Sequence, residues 1–171
     1  MTDPAPWIRS VLQTCVVVED LDATIAEYWE RAGIGPWYVW VPRLTGMRIR
    51  GREIPYSMKL ALAWTPDGVM WEVIQPLNGP SIYREFLDRR GEGIHHVLVD
   101  AGEGAYDALI AQAEARGLPP MMEGTWAGAQ FAYLDGEGPL KMAIEVVRRP
   151  ADFVRPDPDY TLPAGLGRAP R

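Results

Sequence analysis

The sequence predicts an α+β fold in which two copies of a β-α-β-β-β module pair through a shared concave face. Three observations carry this. The same order of elements runs twice along the chain, the two halves end on matching segments, and each half opens on an apolar strand with one polar residue inside it. The modules cover about residues 8–78 and 92–150, joined by a short helix. Together they make one domain over 1–171, with 151–171 as an irregular C-terminal tail.

The first strand is the β-rich run Val11 to Val18, with Val11, Gln13, Cys15 and Val17 on one face and Leu12, Thr14, Val16 and Val18 on the other. Asp20 then caps a helix with Leu21, Ile25, Tyr28, Trp29 and Ala32 at helical spacing, which Gly33, Gly35 and Pro36 end. Strands follow at Trp37 to Val41, in a hairpin-like stretch from Met47 to Trp64, and at Val69 to Gln75 after the turn Thr65-Pro66-Asp67-Gly68. A short helix, Ser81 to Arg89, leads to the apolar run Ile94 to Val99, where the second cycle begins. Tyr106, Leu109, Ile110 and Ala113 stripe its helix, and Gly117 with Pro119 and Pro120 stops it. Strands return at Met121 and Met122, Gln130 to Leu134, and Leu140 to Val147. The closing segments Trp71-Glu72-Val73-Ile74-Gln75-Pro76 and Ile144-Glu145-Val146-Val147-Arg148-Arg149-Pro150 each place a carboxylate ahead of a proline. Gln13 to Glu72 is a longer interval than His96 to Glu145, so extra residues are expected between Trp37 and Tyr56. The tail from Pro150, rich in Pro, Asp and Arg, is expected on the surface or disordered.

Composition narrows the function. With 171 residues, 47% of them apolar, the chain can fill a core. A net charge of -6 and a pI near 4.9 argue against a nucleic-acid surface. No stretch reaches the length of a membrane span, Met1 to Ile8 does not read as a signal segment, and Cys15 has no second cysteine to pair with. A cytoplasmic protein acting on a small molecule, with no nucleic-acid or membrane partner, is expected.

Gln13, Glu72, His96 and Glu145 are polar residues set mid-strand among apolar ones, which is costly unless each finds a partner. Two carboxylates brought to one surface would repel, and a divalent cation between them removes the conflict. Gln13 and His96 would complete four protein ligands, with room for water or a chelating substrate. Plainer readings stand beside this one: a satisfied buried histidine, a glutamine hydrogen-bonded inside the cavity, or glutamates paired with Arg48 or Arg50. By strand alternation His95 points to the other face, as a hydrogen-bonded core residue.

The stretch Trp71-Glu72-Val73-Ile74-Gln75-Pro76-Leu77, through Phe86-Leu87, to Gly91-Glu92-Gly93-Ile94-His95-His96-Val97 resembles the central part of methylmalonyl-CoA epimerases and their relatives. With it, Leu12 to Pro150 resembles the vicinal oxygen chelate superfamily of glyoxalase I, these epimerases, extradiol dioxygenases, fosfomycin-resistance thiol transferases and bleomycin-binding proteins. The resemblance implies a curved, incomplete eight-stranded barrel with helices outside, assembly as a homodimer, and metal ligands at Gln13, Glu72, His96 and Glu145. The Gln, Glu, His, Glu set is similar to that of glyoxalase I, whereas the epimerases typically offer His and Gln at the first two places. It implies one divalent ion (zinc, manganese, cobalt, nickel or magnesium) and an isomerase, epimerase or lyase that abstracts a proton beside a chelated carbonyl of a small, rather apolar or acyl-CoA-like substrate. Glu145 is the favoured base, Glu72 the second; Glu53 is a weaker candidate whose plainer role is a hairpin charge. The alternative is a non-catalytic, antibiotic-type binding protein using the same cavity. An extradiol dioxygenase comes last, since its iron would need two histidine ligands with one carboxylate, and His95 and His96, the only histidines, are expected to face opposite ways.

Trp37, Tyr38, Trp40, Tyr56 and Met58 suggest a substrate-binding wall, with Trp126, Gln130 and Tyr133 in the matching strands of the second half; core packing or a dimer interface would use the same residues. Arg48, Arg50 and Arg52 alternate along one strand and could grip an anion, although a solvated edge is the commoner explanation.

Overall fold

Side-chain alternation sorts each strand between two cores. In β1 (Ser10–Val17), Cys15 and Val17 join one buried cluster, while Val16 joins another on the opposite face. The computed structural model describes residues 7–102 and 105–170, so the ends of the predicted domain, 1–6 and 171, lie outside the described residues.

Asp20 accepts a hydrogen bond from the Ala23 amide at 3.0 Å and starts α1 (Leu21–Glu27). Seven residues are too few for a helix stable on its own. Burial of Leu21 and Ile25, each worth roughly 1.5–3 kcal/mol, holds it against the sheet. A wider turn over Tyr28–Ala32 continues it, and Gly33, at φ 65°, ends it in the left-handed conformation.

The chain then forms β2 (Trp37–Trp40), a hairpin of β3 (Leu44–Ile49) and β4 (Arg52–Glu53), β5 (Ser57–Trp64), β6 (Met70–Asn78) and α2 (Ile82–Arg90). The second cycle is β7 (Gly93–Asp100), α3 (Tyr106–Ala115), β8 (Pro120–Trp126), β9 (Ala129–Leu134) and β10 (Ala143–Arg148), and β11 (Tyr160–Leu162) follows. The described strands form one curled sheet in the order β11-β2-β5-β6-β1-β7-β10-β9-β8-β3-β4. Its centre is the duplication: β2-β5-β6-β1 and β8-β9-β10-β7 are the same arrangement, joined by antiparallel β1 and β7. The eight module strands make an open half-barrel. Helices α1 and α3 cover its outer face, whereas Ile82, Tyr83, Phe86 and Leu87 of α2 pack into the core on the concave side.

Two segments depart from expectation. The stretch from Met47 to Trp64 is not one hairpin: β5 pairs with β2 and β6, while β3 crosses to the second module and pairs with β8. The β3–β4 hairpin therefore holds the extra residues of the first half. The tail is not irregular throughout either, because β11 adds to β2 as an edge strand, with Thr161 buried. Trp40 Nε1 donates to the Pro156 carbonyl at 3.0 Å, and the Val41 amide donates to Asp159 at 2.7 Å. Alternating extended residues with backbone donors suffice for such a strand, and a Pro-rich composition hides them. No helix among the described residues is long and apolar enough to cross a membrane.

Candidate metal centre

The register across the central strands sets two rows of side chains on the concave face. Glu72, Cys15, His96 and Ala143 face one another in one row; Met70, Gln13, Leu98 and Glu145 form the next. Each row thus carries one carboxylate, and the four predicted ligands come together, all buried: Gln13 4% exposed, Glu72 7%, His96 0% and Glu145 7%.

Gln13 Nε2 donates to Glu72 Oε2 at 2.7 Å. His96 Nε2 lies 3.2 Å from Glu72 Oε2 and 3.3 Å from Glu145 Oε2, yet it makes no aligned hydrogen bond with either and is shut off from solvent. The nitrogen therefore points between the two carboxylates. Ligands held 2.0–2.1 Å from a tetrahedral ion lie about 3.3 Å from one another, and the two spacings from Nε2 match that edge length, while among the described residues the donor atoms that all lie within 4.8 Å of one another are those of Cys15, Glu72 and His96. Two carboxylates, an imidazole and an amide that a half-turn can re-aim fit a divalent ion.

His95 was expected on the far face, and here the alternation fails. Cys15 faces His96 and Val16 faces Ile94, so His95 is the extra residue of a β-bulge, and both imidazoles lie in the concave core. His95 Nδ1 sits 2.9 Å from His96 Nδ1, and Tyr83 and Phe86 pack edge-on against the His95 ring. Burial, then the neighbouring His96, hold His95 well below the usual imidazole range, so it is neutral and can accept from His96 Nδ1–H. That bond would fix the tautomer that leaves His96 Nε2 for an ion. Burial pulls His96 down, but the adjacent carboxylates Glu145 and Glu72 outweigh it and raise it to about 9 without an ion. Burial also raises Glu72, against the pull of His96.

Cys15 was assigned no role, yet its sulfur lies within 4.8 Å of Glu72 and His96 donor atoms. Burial and the adjacent Glu72 push its thiol far up, so it is protonated without an ion. The available signal was its strand parity with Gln13.

A cavity of roughly 70 Å³ opens above the cluster, lined by Gln13, Glu72 and Glu145 with Met58, Leu60, Leu62, Met70, Phe131 and others. Of the predicted substrate wall, Met58, Trp126 and Tyr133 line it. Tyr133 accepts from the Tyr83 hydroxyl at 2.7 Å, with its ring centroid 4.8 Å from that of His96. Tyr38, Trp40 and Tyr56 lie in the same core behind the wall: Trp40 packs on Trp126, and the Tyr56 hydroxyl donates to the Glu123 carbonyl at 3.3 Å. Trp37 and Gln130 are corrections. Trp37 has the parity opposite to Tyr38 and Trp40 and is buried under α1, and Gln130 has the parity opposite to Phe131 and Tyr133 and is exposed. Arg48, Arg50 and Arg52 are exposed on the β3–β4 hairpin, where Arg50 grips Glu85 of α2 and Glu53 stands 3.7 Å from Arg48. None lines the cavity, whereas Arg149, Phe153 and Arg155, which sequence reasoning passed over, do.

No curated protein matches the chain. Among solved structures it is similar to methylmalonyl-CoA epimerase from Mycobacterium tuberculosis, at 21% identity and TM-score 0.58, covering 87% of this chain and 93% of that one. A variant of the Streptomyces coelicolor methylmalonyl-CoA epimerase in complex with 2-nitronate-propionyl-CoA aligns at 21% identity and TM-score 0.59, over 86% and 99%. A hypothetical protein from Bacillus halodurans aligns at 19% and TM-score 0.57, over 85% and 98%. At these identities the likeness shows the fold. Residues 12–133 match the profile of one sequence family, and the chain belongs to it: the Glyoxalase/Bleomycin resistance protein/Dioxygenase superfamily.

Proposed function

We propose that the protein is a metal-dependent isomerase, epimerase or lyase that removes a proton beside a carbonyl of a small, rather apolar substrate. The observation that carries this is the buried His96 Nε2 aimed between Glu72 and Glu145 at ligand-to-ligand spacing. Gln13, Glu72, His96 and Glu145 would hold the ion, with Cys15 beside them as a further donor. A divalent ion bound there would act as a Lewis acid on the carbonyl and make the neighbouring C–H more acidic.

The chain's own residues divide the remaining work. In the ion-free site Glu72 accepts a hydrogen bond from Gln13, whereas among the described residues the short polar contact of Glu145 is with His96, so Glu145 is the freer carboxylate and is assigned as the base. His95 keeps His96 oriented. Tyr133 closes one wall with its hydroxyl engaged by Tyr83, and Leu60, Leu62 and Phe131 exclude water around the reacting carbon. The structural neighbours include methylmalonyl-CoA epimerases, one of them in complex with 2-nitronate-propionyl-CoA, which supports an acyl thioester as one substrate class to try.

The test is metal analysis and ion titration of the purified protein, followed by NMR of α-proton exchange into D2O with branched acyl thioesters and 2-oxo acids. Stoichiometric ion binding lost in His96→Ala, with exchange lost in Glu145→Gln, is expected. Ligand binding that survives complete chelation, with no exchange in any substrate, would establish the binding-protein alternative instead.

A further inference from the structure

The cavity has a second pole that the metal reading does not use. The tail leaves β10 through Arg149 and Pro150, runs along the open side of the half-barrel and returns to the sheet as β11. On the way it contributes Phe153 and Arg155 to the cavity wall, beside Arg149. The Arg149 guanidinium lies over the Phe153 ring at 5.8 Å and that of Arg155 over the Trp64 ring at 5.1 Å, so aromatic faces position both cations. Arg155 Nη1 donates to the Pro170 carbonyl at 2.6 Å, but its Nε is sealed from solvent and meets no acceptor. Neither arginine is among the described ion pairs, although the chain carries 23 acidic residues and pairs Arg31, Arg50, Arg84, Arg89 and Arg168 with carboxylates.

Two cations on one cavity wall, one with a buried donor unmet, are an unfinished anion site. We infer that Arg155, assisted by Arg149, binds the carboxylate of a substrate whose carbonyl lies at the Gln13, Glu72, His96, Glu145 cluster, with the apolar belt of Leu60, Leu62 and Phe131 holding the carbon chain between. The substrate class is then a carboxylic acid carrying a second carbonyl function a short carbon chain away. Burial lowers Arg155 to about 10, with Arg149 adding to this and Glu72 opposing, so it keeps its charge at neutral pH. This deepens the proposed function and rests on its reading of which end of the cavity binds the carbonyl.

The test uses full-length protein loaded with manganese or zinc, and also metal-free. Malonate, succinate and glutarate, their monomethyl esters and inorganic phosphate are titrated by tryptophan fluorescence, since Trp64 and Trp126 border the site. The best diacid is expected to bind the loaded protein about ten- to a hundredfold tighter than its monoester, the usual worth of a charged hydrogen bond. That preference is expected to vanish in Arg155→Met, to survive in part in Arg155→Lys, and to weaken in Arg149→Met, with ion stoichiometry unchanged in all three. An equal preference in wild type and Arg155→Met, both folded by circular dichroism, would overturn the inference; so would phosphate competing as well as the diacid in an Arg155-dependent manner. Should Arg155→Met fail to fold, Arg155→Lys and Arg149→Met still decide, since unchanged discrimination in both is refuting. Failure of the metal reading looks different: no ion binds, while the metal-free protein still prefers the diacid through Arg155.

Discussion

Binding of a divalent ion is expected to eject a proton, and the geometry says how many. Without an ion, His96 is raised to about 9 by Glu72 from β6 and Glu145 from β10. The other groups facing it are the Cys15 thiol, neutral His95 and the hydroxyls of Tyr83 and Tyr133, all of which stay uncharged near neutrality. A group of pKa about 9 is roughly 99% protonated at pH 7, so an ion taking His96 Nε2 must release about one proton, plus any carried by the raised Glu72. Apparent affinity should rise about tenfold per pH unit and level off above about 9. The metal-free protein has the opposite dependence. The folded pKa of His96 lies above the unfolded one, so its stabilising contribution is complete below about 6.5 and is lost as pH rises through about 9. Calorimetric titration with zinc in two buffers of different ionisation enthalpy at pH 7 counts the protons, and a melting series from pH 6 to 9.5 checks the second half. Ion binding with no proton release in wild type, or the same release in His96→Gln, would refute the assignment of Nε2 as a ligand.

Three further outcomes are expected. Glu145→Gln should remove α-proton exchange by a factor of about 100 or more, read by NMR, because it removes the base and keeps the shape, and should lower the melting temperature of the metal-free protein near pH 7, read by calorimetry, because His96 loses one of the two carboxylates that hold its charge. Gln13→Ala should weaken manganese or magnesium binding by about tenfold or more and Cys15→Ala should not, whereas a larger effect of Cys15→Ala on zinc would assign the thiol as a ligand. In Gly124→Ala the new methyl would lie 2.5 Å from the Phe131 ring, so that ring, which lines the cavity, must move. Small-ligand affinity should fall at a stability cost of about 1–3 kcal/mol, measured by fluorescence titration and urea melts.

Period-two and period-3.6 patterns are local, so β1, α1, β7 and α3 could be read from single stretches, and the matched Glu72 and Glu145 segments exposed the duplication. The parts that escaped depend on pairing. Nothing local to Leu44–Ile49 says that it will cross to β8, because an edge strand is chosen by whichever edge is open. The same holds for Tyr160–Leu162, which found the free side of β2. Trp37 and Gln130 were assigned to the cavity against their own strand parity, an error that the alternation of β2 and β9 could have prevented. His95 is the reverse case: alternation was applied and a bulge broke it, and a bulge is set by how β1 and β7 accommodate one another.

The bulge also bears on how a duplicated fold acquires an asymmetric site. Pseudo-twofold pairing gives each half an equivalent carboxylate, and two identical environments would make them interchangeable. The first strands differ, however, in what they set beside them. Gln13 and Cys15 of β1 flank Glu72, and Gln13 bonds to it, whereas β7 brings His96 with His95 behind it and places Leu98 where β1 has Cys15. Glu72 is consequently immobilised and Glu145 left with a shared imidazole contact. If these environments determine which carboxylate moves the proton, exchanging them should exchange the roles: Gln13→Leu frees Glu72, and exchange should then persist in part when Glu145 is replaced by Gln. A double variant as inactive as Glu145→Gln alone, with its ion still bound, would show that something other than the Gln13 tether distinguishes the two.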